Sequence, residues 1–249
     1  MLSAFIKQHN LPEEFKLAVN EYYQPLADQI FNRFTENKEP YFVGINGCQG
    51  SGKSTLTDFI ATYLTTKYKL NVVVMSLDDF YYSSEKRKGL AQEIHPLLAT
   101  RGVPGTHDVV ELNHVLTLLK KKKTGFSIQK FNKATDNPYP EDQWPTIEKS
   151  TDIIILEGWC WGVEPQTVEQ LKAPINELES QYDKTGQWRN YVNQQLKVAY
   201  KPLYKKMDFW LALQAPSFDC VYKWRLEQEQ KLKDRNIDLI NSKIMSPSE

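Results

Sequence analysis

Residues 47 to 54 read Gly-Cys-Gln-Gly-Ser-Gly-Lys-Ser, a complete Gly-x-x-x-x-Gly-Lys-Ser loop between a predicted strand and a predicted helix. The strand Tyr41-Phe42-Val43-Gly44-Ile45 runs into the loop. The helix opens near Lys53 and carries Leu56, Phe59, Ile60 and Leu64 at helical spacing. Few folds accept this order, because the loop must turn its N–H groups toward one anion while strand and helix hold it rigid. Gly47, Gly50 and Gly52 allow the backbone to approach a phosphate, and Cys48, Gln49 and Ser51 contribute backbone rather than side chain. Lys53 adds a point charge. Ser54 can offer its hydroxyl to a Mg²⁺ ion bridging the β- and γ-phosphates, and Thr55 belongs to the same first helical turn. The expected nucleotide is ATP.

The 249 residues suffice for one large α/β domain, or one domain with a helical appendage. Lys+Arg and Asp+Glu both number 31, so no global field favours nucleic acid or a membrane, and a small-molecule partner is expected. No apolar run reaches the roughly eighteen residues needed to span a bilayer. Cys48, Cys160 and Cys220 are odd in number and widely spaced, which predicts a reducing, cytoplasmic setting without structural disulfides or zinc. From Leu11 to Phe34 the apolar residues Phe15, Val19, Tyr22, Leu26, Ile30 and Phe34 predict an amphipathic helix, with residues 36–40 as its exit. This divides the chain into an N-terminal helical segment, 1–39, packing on a single larger domain, 40–249.

Two further apolar runs end in acids. Residues 71–77 lead into Asp78-Asp79-Phe80-Tyr81, and residues 152–156 lead into Glu157-Gly158-Trp159. Continuous apolar runs are the mark of parallel strands covered on both faces, whose C-terminal ends line the ligand crevice. A fourth run, Phe209 to Leu213, completes a doubly wound, mainly parallel sheet with helices on both faces. Phosphoryl transfer to an alcohol needs one carboxylate to orient or deprotonate the hydroxyl and another acid near Mg²⁺. Asp78 suits the first task and Glu157 the second. Asp79 is the rival to Asp78, with a turn cap as its other reading.

The run Arg101-Gly102-Val103-Pro104-Gly105-Thr106-His107-Asp108 predicts a tight loop whose Arg101, Thr106, His107 and Asp108 supply donors and acceptors for a small polyol or acid. Arg101 could grip a carboxylate in bidentate fashion. Asp108 could equally cap the helix that follows, and His107 could hold the loop together. Lysines 120–123 read as the cationic end of that helix.

These segments together resemble the glycerate kinase branch of the phosphoribulokinase, uridine kinase and pantothenate kinase group, over roughly residues 40 to 235. The resemblance rests on the phosphate loop, Ser76-Leu77-Asp78-Asp79-Phe80-Tyr81, Arg101 to Asp108, Leu156-Glu157-Gly158-Trp159 and residues 221–229. It implies a P-loop NTPase fold with a helical lid, ATP and Mg²⁺. It puts Asp78 in the place of the catalytic base, with Tyr81 beside it on the substrate side, and Glu157 in the place of the metal-side acid. It further implies that residues 128–136 border the acceptor pocket, where Lys133 would welcome an anion, and that Arg225 belongs to the lid. The chain departs from the group at Asn132, where an aspartate is frequent, and at Asn137-Pro138, where an arginine is frequent. Ser246-Pro247-Ser248-Glu249 reads as a capping box for a helix the chain then lacks.

The expectation is therefore a kinase that passes the ATP γ-phosphoryl group to a hydroxyl of a small molecule, D-glycerate first. A nucleoside or pantothenate kinase is the neighbouring alternative, and a nucleotide-controlled switch or assembly factor is the non-enzymatic one. Oligomeric state is not legible.

Overall fold

The computed structural model describes residues 1–224 and Leu226. Arg225 and residues 246–249, on which the lid and capping-box expectations fall, lie outside the described residues. Four parallel strands form the central sheet: β1 (Tyr41–Gly47), β2 (Val72–Ser76), β3 (Ile153–Gly158) and β4 (Phe209–Leu213), in the order β2-β3-β1-β4. The helices are α1 (Leu2–Gln8), a run α2 built from Phe15–Ala18, Val19–Tyr23 and Gln24–Asn37, α3 (Lys53–Tyr68), α4 (Ser84–Glu93), α5 (Val109–Lys120), α6 (Glu177–Tyr182) and a run α7 built from Gln187–Gln195, Leu196–Tyr200 and Lys201–Tyr204. The inner strands β1 and β3 are largely apolar because both faces are covered, whereas Trp210 and Ala212 on the edge strand β4 are exposed. Val43, Ile45, Ile153 and Ile155 pack with Leu56, Phe59, Ile60, Val19 and Ile30 on one face, while Phe42, Ile154 and Leu156 pack with Leu112, Leu116, Trp161 and Tyr200 on the other.

The N-terminal helix departs from expectation in two ways. It starts at Phe15 rather than Leu11, because residues 12–14 form a turn in which Pro12 and Glu13 carbonyls accept from Phe15 and Lys16 N–H. It also contains a π-helical turn at Val19–Tyr23, just ahead of Pro25, whose ring cannot supply an N–H to a continuous α-helix. An additional helix, α1, buries Phe5 and Ile6. The chain leaves α2 through Lys38 in the left-handed conformation, φ 53°, and enters β1.

Parallel pairing aligns the strand ends. Glu157 stands level with Ser76 on β2 and with Ile45 on β1, so Glu157, the Asp78 turn and the glycine-rich loop emerge at one edge.

Candidate active site

The phosphate loop follows β1 directly, and α3 starts at Lys53. Gly50 and Gly52 adopt φ of 77° and 85°, a region that a Cβ penalises, which is why glycine is needed at both. Gly50 is also close-packed: a Cβ there would lie 2.6 Å from Cβ of Trp224, in the helical stretch 218–224. Ser51 N–H donates to Cys48 O at 3.2 Å, closing the turn. Nζ of Lys53 lies 3.9 Å from Oε2 of Glu157.

Glu157 is buried at the end of β3, and its Oε2 has no hydrogen-bond partner among the described residues. Burial pushes its carboxyl above the ordinary range, and the Lys53 ammonium offsets this only in part. A raised folded-state pKa means that the protonated form is favoured on folding, so this contribution to stability is present at low pH and lost as pH rises through the folded-state value. Glu157→Gln is accordingly expected to raise Tm of the nucleotide-free protein at pH 7, with the difference shrinking toward zero as pH falls below the carboxylate range. Thermal unfolding across pH checks it, and a difference independent of pH would refute it.

After β2 the chain enters a short 3₁₀ turn, Leu77–Phe80, capped reciprocally by Ser76 and Asp79. Asp79 thus serves as a cap, and its Oδ2 also accepts from Lys130 Nζ at 2.6 Å. Asp78 points elsewhere. Its Oδ1 accepts from the Tyr81 hydroxyl at 3.2 Å and its Oδ2 from Lys133 Nζ at 2.7 Å. Burial raises the Asp78 pKa, but the surrounding groups, Lys133 foremost with the Tyr81 hydrogen bond among the rest, together hold the carboxyl below its usual range. Burial and the Asp78 charge push the Tyr81 hydroxyl far upward, so it stays protonated and donates to Asp78.

Residues 101–108 are zipped to this turn by backbone. Tyr82 N–H donates to Thr106 O at 2.9 Å, Asp108 N–H donates to Phe80 O at 2.6 Å, and Tyr81 and His107 form an isolated antiparallel bridge. Thr106 and His107 are buried. The Thr106 hydroxyl donates to Val103 O and accepts from Gly102 N–H, so it organises the loop. His107 stacks on Tyr81 with centroids 4.2 Å apart and pairs through Nδ1 with the Tyr200 hydroxyl at 2.7 Å. Burial pushes its pKa down to about 3, so the ring is neutral. Asp108 caps α5, accepting from Glu111 N–H at 2.9 Å. Of the loop's expected polar groups, Arg101 and Asp108 remain partly exposed.

Arg101 is held by a residue that sequence reasoning did not single out. Its Nη1 is paired with Asp136 Oδ1, and its guanidinium lies 5.7 Å from the Phe131 ring centroid. Asp136 Oδ2 is in turn 2.7 Å from Arg87 Nη2, and Arg87, 1% exposed, also donates to Tyr82 O and Ala99 O. Asn46 was missed as well. The Asn46 side-chain amide donates to Trp159 O and Trp161 O, and the Trp159 indole donates to Gly102 O at 3.1 Å, tying the phosphate-loop strand and the β3 end to the acceptor-side loop. None of these carries a local signature, since each acts on a partner more than ten residues away.

Among the described residues no group of three or more His, Cys, Asp and Glu is arranged to hold a metal ion. No helix there is long and apolar enough to cross a membrane. All three cysteines are free, and burial pushes the Cys160 thiol up to about 12.

No family model matches the chain. It is 38% identical over 210 residues to the uncharacterized kinase mug58 of Schizosaccharomyces pombe, covering 79% of this chain and 72% of that protein. It is 29% identical over 232 residues to the chloroplastic D-glycerate 3-kinase of Arabidopsis thaliana, covering 86% of this chain but only 48% of that longer protein. Its fold matches the solved D-glycerate 3-kinase of Cryptococcus neoformans with a TM-score of 0.75 at 25% identity, over 92% of this chain and 83% of that one. Strand order, phosphate loop and likeness to these proteins agree: the chain belongs to the glycerate kinase-like branch of the P-loop kinases.

Proposed function

We propose that this ATP-dependent small-molecule kinase phosphorylates a hydroxyl of a small hydroxy acid, with D-glycerate the leading acceptor. The observation that carries this reading is the placement of Lys133 on Asp78, a carboxylate to take the hydroxyl proton with a cation at hand for an acid group, and Arg101 is a second cation on the loop zipped to the Asp78 turn. A nucleoside would have no use for those cations. The D-glycerate 3-kinases similar to this chain support the same choice.

In this proposal the phosphate loop, residues 47–55, binds the β- and γ-phosphates, and Lys53 stabilises the charge that develops on the migrating group. Asp78 receives the hydroxyl proton, Tyr81 orients Asp78, and Thr106, His107 and Asp108 shape the pocket around Arg101. The donor set at Ser54 and Glu157 fits Mg²⁺, which is bound by few protein ligands and mostly by phosphate oxygens; the buried, unpartnered Oε2 of Glu157 is consistent with that fit. When bound, the ion would neutralise phosphate charge. Arg225 keeps its proposed place in a lid over ATP. We further take residues 1–39 as a buttress on one catalytic domain spanning 40–249. We take the cytoplasm as the site of action, with neither nucleic acid nor membrane as partner.

The test is Mg²⁺-ATP consumption by the purified protein against D-glycerate, other hydroxy acids, nucleosides and pantothenate. The expected result is the highest kcat/KM with D-glycerate. Turnover of a nucleoside with none of glycerate would overturn the assignment.

A further inference from the structure

Asp78 is covered. The Lys133 ammonium lies 2.7 Å from one oxygen and the Tyr81 hydroxyl 3.2 Å from the other, so both oxygens that an alcohol would approach are engaged. The two lysine–aspartate pairs here differ in kind. Asp79 is 15% exposed and is held by the Ser76 backbone as well as by Lys130, which makes that pair part of the turn. In the other pair Asp78 is 28% exposed and Lys133 61%, so Lys133 lies over the carboxylate from the solvent side.

The segment carrying Lys133 is anchored at both ends. Phe131–Asn132 pairs antiparallel with Asn137–Pro138, and Asn132 Oδ1 accepts from Ala134 and Thr135 N–H within the turn. Asn137 accepts from Ser84 N–H, and the buried Arg87 clamps Asp136. The hairpin backbone is thus pinned, while the four-carbon stem of Lys133 can swing between anions within its reach.

An ammonium on a carboxylate favours the unprotonated, weakly basic form, and a proton-accepting group works best when it can take a proton readily. Exchanging one carboxylate partner for another at a half-exposed site costs little, because exposed ion pairs are individually weak. We propose that Lys133 makes phosphoryl transfer depend on an anionic acceptor: it covers Asp78 when the acceptor site is empty, and the carboxylate of an incoming hydroxy acid draws it away. This rests on the reading of Asp78 as the proton acceptor. A neutral polyol brings a hydroxyl but nothing to displace the ammonium. Water meets the same obstacle. In the suppressed side reaction a water oxygen would bond to Pγ, the bond from Pγ to the β,γ-bridging oxygen would break to release ADP, and the water proton would pass to Asp78.

The test uses Lys133→Met, which keeps the stem and removes the charge at an exposed position. Acceptor-free ATP hydrolysis is expected to rise about tenfold, and the ratio of kcat/KM for D-glycerate over glycerol to fall by about tenfold or more. Lys133→Arg is expected to restore low hydrolysis. Adding Asp78→Asn to Lys133→Met should return hydrolysis to the wild-type level or below. The proposal is overturned if Lys133→Met weakens glycerate turnover while hydrolysis and glycerol turnover stay at wild-type values, since Lys133 would then be an acceptor ligand only. A separate failure is recognisable: if Asp78→Asn alone keeps full glycerate turnover, Asp78 is not the proton acceptor. If the wild type phosphorylates none of these acids, the acceptor assignment has failed, and the hydrolysis measurements alone still decide the role of Lys133.

Discussion

Replacing Lys53 with alanine is expected to lower kcat/KM for ATP about a thousandfold, the upper range for losing one preorganised group that stabilises transition-state charge. Lys53 is the first residue of α3, so the backbone N–H groups of the loop and the helix terminus remain in the variant. What is lost is the point charge proposed to meet the γ-phosphate. Its departure also strips Glu157 of the cation 3.9 Å away, leaving a buried carboxylate uncompensated. Tm should therefore fall in Lys53→Ala and recover in part when Glu157→Gln is added, while activity does not recover. Steady-state kinetics with varied ATP, together with thermal unfolding, separate the two effects. Retention of activity within tenfold would remove Lys53 from the proposed machinery.

Asp78→Asn is expected to lower kcat by about 10² to 10⁴, the usual contribution of a positioned proton-transfer group, with ATP affinity within about threefold of wild type. The amide keeps the shape and a carbonyl for the Tyr81 hydroxyl but cannot take up a proton. Asp79→Asn is the control that separates the neighbours. Asp79 caps the 3₁₀ turn and pairs with Lys130, so its replacement should cost about 1 kcal/mol of stability and leave kcat within tenfold. A larger kcat loss at Asp79 than at Asp78 would reverse their proposed roles. Nucleotide titration measured apart from turnover is essential, because a variant that fails to bind ATP would mimic loss of the proton acceptor.

The network around Arg101 shows how tertiary pairing modifies a sequence expectation. A guanidinium in a Gly- and Pro-rich loop reads as a free carboxylate grip, yet Asp136 occupies one of its edges. Asp136 takes φ of 57° in the hairpin turn and is fastened by Arg87, which sits on a helix whose polar sequence gives no hint of burial. Likewise, Thr106 and His107 read as candidates to meet a ligand; in the fold the Thr106 hydroxyl ties the loop to itself and His107 Nδ1 pairs with Tyr200, while the buried Nε2 of His107 has no partner among the described residues. In a tight loop, backbone groups that cannot reach water claim nearby side chains first.

What the sequence by itself determined was everything set by short-range chemistry. The phosphate loop announces itself because left-handed glycines must sit where a phosphate meets the backbone, and the inner strands β1 and β3 announce themselves because burial on both faces demands nearly unbroken apolar runs. Acids at strand ends marked the crevice edge for the same local reason. The tertiary structure alone decided which polar groups meet: Lys133 with Asp78 across 55 positions, Asp136 with Arg101 across 35 and Trp159 with Gly102 across 57. Such pairs depend on the register of parallel strands and on how hairpins dock. Neither leaves a periodicity in the chain, because Coulombic and hydrogen-bond partners are selected by distance in space rather than by spacing in sequence.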